Sequence, residues 1–374
     1  MIQIKQVVTR KEQKDFLHFP LKLYKDNPYF VPPLYGDEKQ IFSKNYMYYD
    51  QAEAVYYNAY KDGKMVGRIS GIWQKAANEK WGQKRARFTR FDCINDVEVA
   101  EKLFEAVENW AKSKNAEEIV GPLGFSDLER EGLLIEGFDQ LSTFEEQYNY
   151  DYYQNLIESC GYSKDVDWTE RKVFFLDDET AEYLSEMSAG ILKKYGLKFV
   201  EAKNTRDFLK RYVDQIFNIW DETYGKIYGT VPFTDRVKKS MLANFKLVID
   251  LRFIAAIVDK DDKIVAFGVL FPSMAKAVQK SGGRLTPACI VKLLRSIKKP
   301  RIVDMALIGV IDKYVNTGVA MALVSAFNGR LPDYGVEYAE TNLILEENAH
   351  MQNLLKRFTT RQHKRRRCYI KNFK

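Results

Sequence analysis

The stretch with most chemical content runs Ala306-Leu-Ile-Gly-Val-Ile-Asp-Lys-Tyr-Val-Asn-Thr-Gly-Val-Ala-Met321. An apolar, strand-like run ends in a short polar loop, and a helix rich in small residues follows at once. Backbone N–H groups at a helix start are unpaired and lie at the positive end of its dipole, so such a junction can cradle a phosphate. Gly318 lets the backbone approach a ligand closely, and Ala320 and Ala322 let the helix lie against a sheet. The chain contains neither a Walker lysine loop nor a GxGxxG, so the common nucleotide motifs do not explain the junction. A second unusual stretch is Gly121–Tyr150, which carries Gly121, Gly124, Gly132 and Gly137, many apolar side chains and no clear period. Long irregular segments inside compact domains commonly form binding surfaces or lids.

The elements that must position these segments occur twice. Lys61-Asp-Gly-Lys64 joins two β-like runs, and Lys260-Asp-Asp-Lys263 joins two more, each reading as a hairpin with an Asp-containing turn. Lys64 and Lys263 are 199 positions apart, and Leu156 and Leu355, in short helices near the end of each half, share that offset. Two matches at one offset indicate a duplicated fold. Each half is expected to run strand, helix, hairpin, long strand, helix, strand, short helix, closing strand. The closing strands are Glu170–Leu176 and Arg366–Lys371, and a helix over Thr180–Lys194 links the halves.

This order, with the loop after the fourth strand, resembles the GNAT superfamily of acyl-CoA N-acyltransferases. Members carry Gln/Arg-x-x-Gly-x-Gly/Ala at that loop; here Val315-Asn-Thr-Gly318-Val-Ala320 keeps the Gly and the small residue but has Val315 in the leading position. The whole chain is similar to an uncharacterised bacterial group of tandem GNAT proteins, through Asn27–Leu34, Gly121–Ser126, Gly132–Asp139 and the Lys/Arg-rich C-terminus. The resemblance implies a mixed α/β (α+β) fold of two fused GNAT-like domains, each a mixed central sheet flanked by helices. Residues 1–178 are expected to form a degenerate domain that shapes an acceptor site, and residues 179–374 to bind the donor. The implied activity is transfer of an acyl group from acetyl-CoA or a longer acyl-CoA to the primary amine of a small molecule. The alternatives are an aminoacyl or peptidyl transferase of the peptidoglycan-bridge type, and a non-catalytic ligand-binding or regulatory protein.

Residue by residue, the resemblance puts coenzyme A on Val310, Val315, Asn316, Thr317, Gly318, Val319, Ala320, Met321 and Asn348. Acyl transfer to an amine needs a base for the ammonium proton and an acid for the leaving thiolate. The family draws its base from the fourth or fifth strand, which indicates Asp304 or Glu340, and alternation puts Glu340 and Asn342 on one face. The expected tyrosine acid is absent, because Leu354 or Leu355 holds its place; Tyr314 or Tyr369 is the candidate substitute. Ser126, Glu129, Glu136 and Asp139 are the expected acceptor-site residues. In the first half the matching junction, Phe91–Ala100, lacks glycine and carries Asp92, Asp96 and Glu98, which repel a diphosphate; Asn95 or Asp96 is expected to cap the helix instead.

Composition narrows the rest. With 374 residues, 46% of them apolar, the chain fits two domains of roughly 180 residues. Four scattered cysteines and three histidines suit neither a disulfide framework nor a zinc site, so no metal and a reduced, cytoplasmic protein are expected. The apolar runs are too short to span a membrane, and no membrane partner is expected. A net charge of +7, spread over the whole chain, suits an anionic ligand without indicating nucleic acid. Much of it lies in Phe271–Lys299 and in Lys364–Arg367, read as solvated basic faces. The many aromatic residues are read as core and interdomain packing.

Overall fold

The computed structural model describes residues 1–245 and 249–373. The first half supplies strands β1 Ile2–Gln6, β2 Ala52–Lys61, β3 Lys64–Gln74, β4 Arg85–Cys93, β5 Glu118–Gly121, β6 Leu133–Glu136 and β7 Ser163–Phe174. The second supplies β8 Lys198–Phe199, β9 Ile254–Val258, β10 Ile264–Pro272, β11 Ile302–Val310, β12 Tyr338–Thr341, β13 Ile344–Leu345 and β14 Thr360–Asn372. All fourteen join one sheet, in the order β1-β2-β3-β4-β5-β14-β7-β12-β11-β10-β9-β8, with β6 on β14 and β13 on β7. The two halves therefore mirror one another about the pair β14–β7.

Local signals account for most elements. Thr9 and Glu12 form a reciprocal cap on the helix Arg10–Leu23. Asp62 and Gly63 both take positive φ, the turn that matches strand twist in a two-residue hairpin. The helix Val97–Ser113 buries Val99, Ala100, Leu103, Phe104, Val107 and Ala111, a stripe of helical period, against the first half's core.

The closing strands are exchanged. β14, from the second half, pairs antiparallel with β5 of the first, and β7, from the first half, pairs with β12 of the second. β7 and β14 pair along nearly their whole length, from Thr360/Val173 to Ile370/Ser163. Residues 1–178 and 179–374 thus interlock through their last strands. A second joint is aromatic: Phe16, Tyr46, Tyr56 and Phe125 share one buried cluster with Phe208, Phe217 and Trp220. An apolar joint of this kind holds the halves in one fixed arrangement. Among the described residues no helix is long and apolar enough to cross a membrane.

Candidate active site

In the second half, β11 and β12 run parallel from Ile302/Tyr338 to Met305/Thr341 and then part. β11 continues along β10 to Val310, while the chain after Thr341 turns away to pair Ile344 and Leu345 with β7. The edge of β11 beyond Met305 is thereby left without a partner strand. At its middle, the Tyr224 hydroxyl accepts from the Ile308 N–H and donates to the Ile308 carbonyl, both at 3.2 Å.

Beyond β11 a short turn, Asp312–Tyr314, leads into the helix Val319–Asn328. Asn316 and Gly318 take φ of 62° and 92°. The positive φ at residue 318 favours glycine, and a Cβ there would lie 2.5 Å from Ile191 Cδ1, so the end of that side chain would have to shift. Among the described residues the amides of Asn316, Gly318, Val319 and Ala320 meet no acceptor. Asn316 is exposed, Gly318 and Ala320 are half-buried and Val319 is buried, while the Thr317 N–H donates to the Tyr314 carbonyl at 3.3 Å. The side chains of Val319 and Met321 are buried, and the Met321 N–H donates to the Gly318 carbonyl at 2.9 Å. The Thr317 hydroxyl donates to the Tyr314 carbonyl. Asn348 caps the next helix through Met351 N–H and borders the cavity described below.

The first half has the same strand geometry and fills it. β4 and β5 pair from Arg85/Glu118 to Arg87/Val120. Past that point the Leu123 N–H donates to the Phe88 carbonyl at 2.9 Å, bridging the gap. The Cys93 N–H donates to the Tyr153 hydroxyl at 3.0 Å, and the Tyr152 hydroxyl donates to the Cys93 carbonyl at 2.8 Å. Asp96 caps the following helix through Glu98 and Val99, and Lys61 at 2.8 Å holds its carboxyl below the ordinary range. The amides that would bind an anion are thus already paired with a carboxylate.

The second half's opening leads into a cavity of about 1010 Å³ between the halves. One wall is apolar, with Phe271, Met274, Ile290, Leu293, Leu294 and Ile297, next to Met305–Ile308 of β11. The opposite end is charged. Arg90 holds Glu38 (2.7 Å) and Glu129 (3.5 Å), and Arg68 holds Asp92 (2.7 Å). Burial opposes ionisation of Glu38, but Arg90 and Arg68 outweigh it and keep the carboxyl below its ordinary value. Glu129 also accepts from the Tyr46 hydroxyl and from the Phe125 N–H.

Other acids of the lining are held less tightly. Burial pushes Glu146 up to about 8 against the pull of Arg366, whose Nε lies 3.7 Å from Glu146 Oε2, an atom with no hydrogen-bond partner among the described residues. Burial likewise raises Glu145, and raises Glu131 well above the carboxylate range. A carboxyl that titrates near neutrality in a cleft is suited to proton transfer.

The expected catalytic residues are distributed differently. Asp304 and Glu340 are register partners on β11 and β12, so the structure does bring them together. Neither lines the cavity: Glu340 belongs to a buried charge network, while Asp304 has an unpartnered Oδ1 among the described residues and is pushed well above the carboxylate range by burial. Lys364 Nζ lies 2.5 Å from Glu340 and 2.9 Å from Glu170, and Arg366 lies 2.7 Å from Glu170. His363 Nε2 is 3.0 Å from Glu340, and burial lowers this imidazole to about 4, so it is neutral. Glu170, Glu340 and His363 stand close enough to ligate a cation, but the Lys364 ammonium already supplies positive charge between the two carboxylates. Tyr314 is buried in the second half's core against Tyr195, remote from the cavity wall. Tyr369 is also buried, in the first half's core.

Of the expected acceptor residues, Glu129 lines the cavity and Ser126 is buried just behind it, bonded to the Tyr48 hydroxyl at 2.7 Å. Glu136 and Asp139 are exposed and do not line it; Glu136, at the end of β6, meets Arg365 of β14. Of the four expected acceptor residues, these two therefore lie away from the cavity. Sequence reasoning did not identify Arg90, Glu145 or Glu146. For the last two, the available signal was a pair of acids set among aromatics in Phe144–Tyr148, within a segment lacking any period.

The fold is that of the tandem GNAT proteins. A tandem GNAT protein of the clavulanic acid biosynthesis pathway superposes on this chain with a TM-score of 0.57, covering 100% of this chain and 98% of that one at 10% identity. No family model matches. Over 98% of its length the chain is 29% identical to Protein YghO of Escherichia coli (strain K12), covering 95% of that protein. It is 26% identical, again over 98% of its length, to the bacterial ceramide synthase of Caulobacter vibrioides (strain NA1000 / CB15N), covering 96% of that protein.

Proposed function

We propose that this chain is an N-acyltransferase that moves an acyl group, longer than acetyl, from acyl-CoA to the primary amine of an amphipathic acceptor. Residues 179–374 hold the donor and residues 1–178 shape the acceptor site. The observation that carries this reading is that the stretch of β11 beside the gap, Met305–Ile308, lines a cavity with both apolar and charged side chains, and that the same strand runs on to a loop with unpaired amides. An acetyl group would leave the apolar wall unused. The relative named a ceramide synthase adds support, since a ceramide is a fatty amide of a long-chain amino alcohol.

In this reading the amides of Asn316, Gly318, Val319 and Ala320 bind the coenzyme's diphosphate, and the Ile308 backbone, once released by Tyr224, pairs with the pantetheine. The amine enters as an ammonium and gives a proton to Glu146. Its nitrogen then attacks the thioester carbonyl, the C–S bond breaks, a second proton lost from that nitrogen passes to the departing sulfur, and the amide and free thiol leave. The carboxylates Glu38 and Glu129, paired as they are with Arg90, make this end suited to polar groups of the acceptor.

Calorimetry with acetyl-CoA and palmitoyl-CoA tests the donor site. Palmitoyl-CoA is expected to bind the wild type more tightly, and a donor at a hundred times its Kd should add about 2.7 kcal/mol of stability. Gly318→Asp, which sets a carboxylate among the amides, should weaken both donors by roughly tenfold or more. Equal binding of donors to both proteins, or no binding at all, would count against the reading.

A further inference from the structure

We propose that the basic helix Pro287–Lys298, with the turn before it, docks on an anionic lipid bilayer. The helix is well formed: Thr286 caps it through the Cys289 N–H at 3.2 Å, and proline occupies its first turn. Cys289 is its one fully buried residue. Leu285, Ile290, Val291 and Leu294 are exposed by 54%, 46%, 48% and 59%, so four of the large exposed apolar side chains fall within ten residues. Such a concentration marks a binding surface.

Its charge indicates the partner. Residues 271–299 contain Lys276, Lys280, Arg284, Lys292, Arg295, Lys298 and Lys299 and no acidic residue. All seven are exposed, and among the described residues none is in an ion pair. An amphipathic helix with this rim suits the boundary of a bilayer that carries negative headgroups. A second copy of the chain is a poor match, because a two-fold contact would set these cations against themselves. The position also has a consequence for the cavity: Leu285, Ile290 and Leu294 line it as well, so docking would turn its apolar wall toward the lipid. The docking does not depend on the acyl-transfer reading, because vesicle binding is measured without substrate.

The test is co-sedimentation of the full chain with phosphatidylcholine vesicles, with and without phosphatidylglycerol, at low and high salt. Binding is expected only with phosphatidylglycerol and should weaken with salt. Joint replacement Lys292→Glu, Arg295→Glu and Lys298→Glu should reduce it by more than about tenfold. Val291→Asp, on the outward face, should reduce it as well, with the melting temperature of each variant checked by circular dichroism. Failure of the wild type to bind phosphatidylglycerol vesicles would overturn the proposal. So would unchanged binding by both variants, or a lipid-independent dimer that the variants abolish.

Discussion

Glu146→Gln is expected to lower kcat/KM for amine acylation by roughly a hundred- to a thousandfold, the usual contribution of a positioned base. Donor affinity should change little, because Glu146 is remote from the loop that would hold the diphosphate. In the wild type the basic form grows in as pH rises through about 8, so the rate should climb over that range; the variant's residual rate should not follow the same curve. Stability should move the other way. Burial raises the folded-state pKa of this carboxyl above its unfolded value, so its ionisation destabilises the fold progressively as pH increases from the ordinary carboxylate range to about 8. Gln at this position should therefore melt higher than the wild type at pH 8 and gain little in acid. A variant that lost activity and stability together at pH 8 would indicate a structural acid.

Lys364→Met should cost about 3–5 kcal/mol in urea unfolding, the range for breaking a buried ion pair from one side. Lys364 is 1% exposed and is the cation between Glu170 and Glu340. Removing it leaves two buried carboxylates with Arg366 as the remaining close cation, on Glu170 only. The pKa values of these carboxyls would then rise. The variant's deficit should be small where they can protonate and should grow as pH increases past the ordinary carboxylate range. Adding Glu340→Gln to the variant should recover part of the loss. The effect is global because β14, β7 and β12 meet at this network and carry the strand exchange between the halves. A loss under about 1 kcal/mol would show that the network is hydrated or redundant.

Much of the fold was legible in the sequence because it is encoded locally. Hairpin turns at Asp62 and Asp262, the stripe on the helix Val97–Ser113 and the glycine at residue 318 each carry a physical signature within a few residues. The strand exchange was not legible. The alternation of β7 and β14 says that they are strands but not which edge they join, and both begin well before Glu170 and Arg366, in polar stretches that look like loop. The site divides the same way. Gly318 and its neighbours were proposed from a local pattern, and Asp304 and Glu340 from the family resemblance; the last two do not line the cavity. That Lys364 comes between Glu340 and Glu170 depends on contacts nearly two hundred residues apart. Glu146 lay beyond such reasoning because two adjacent acids ordinarily lie on a surface, and only the packing of segment 121–150 against the second half buries Glu146 and half-buries Glu145.

The most direct test of the donor assignment is a crystal structure of the chain with coenzyme A. The diphosphate should lie within hydrogen-bonding distance of the amides of Asn316–Ala320, with a pantetheine amide on Ile308 where the Tyr224 hydroxyl now sits. A coenzyme found at the start of the helix Val97–Ser113, or bound elsewhere with Tyr224 still on Ile308, would contradict it.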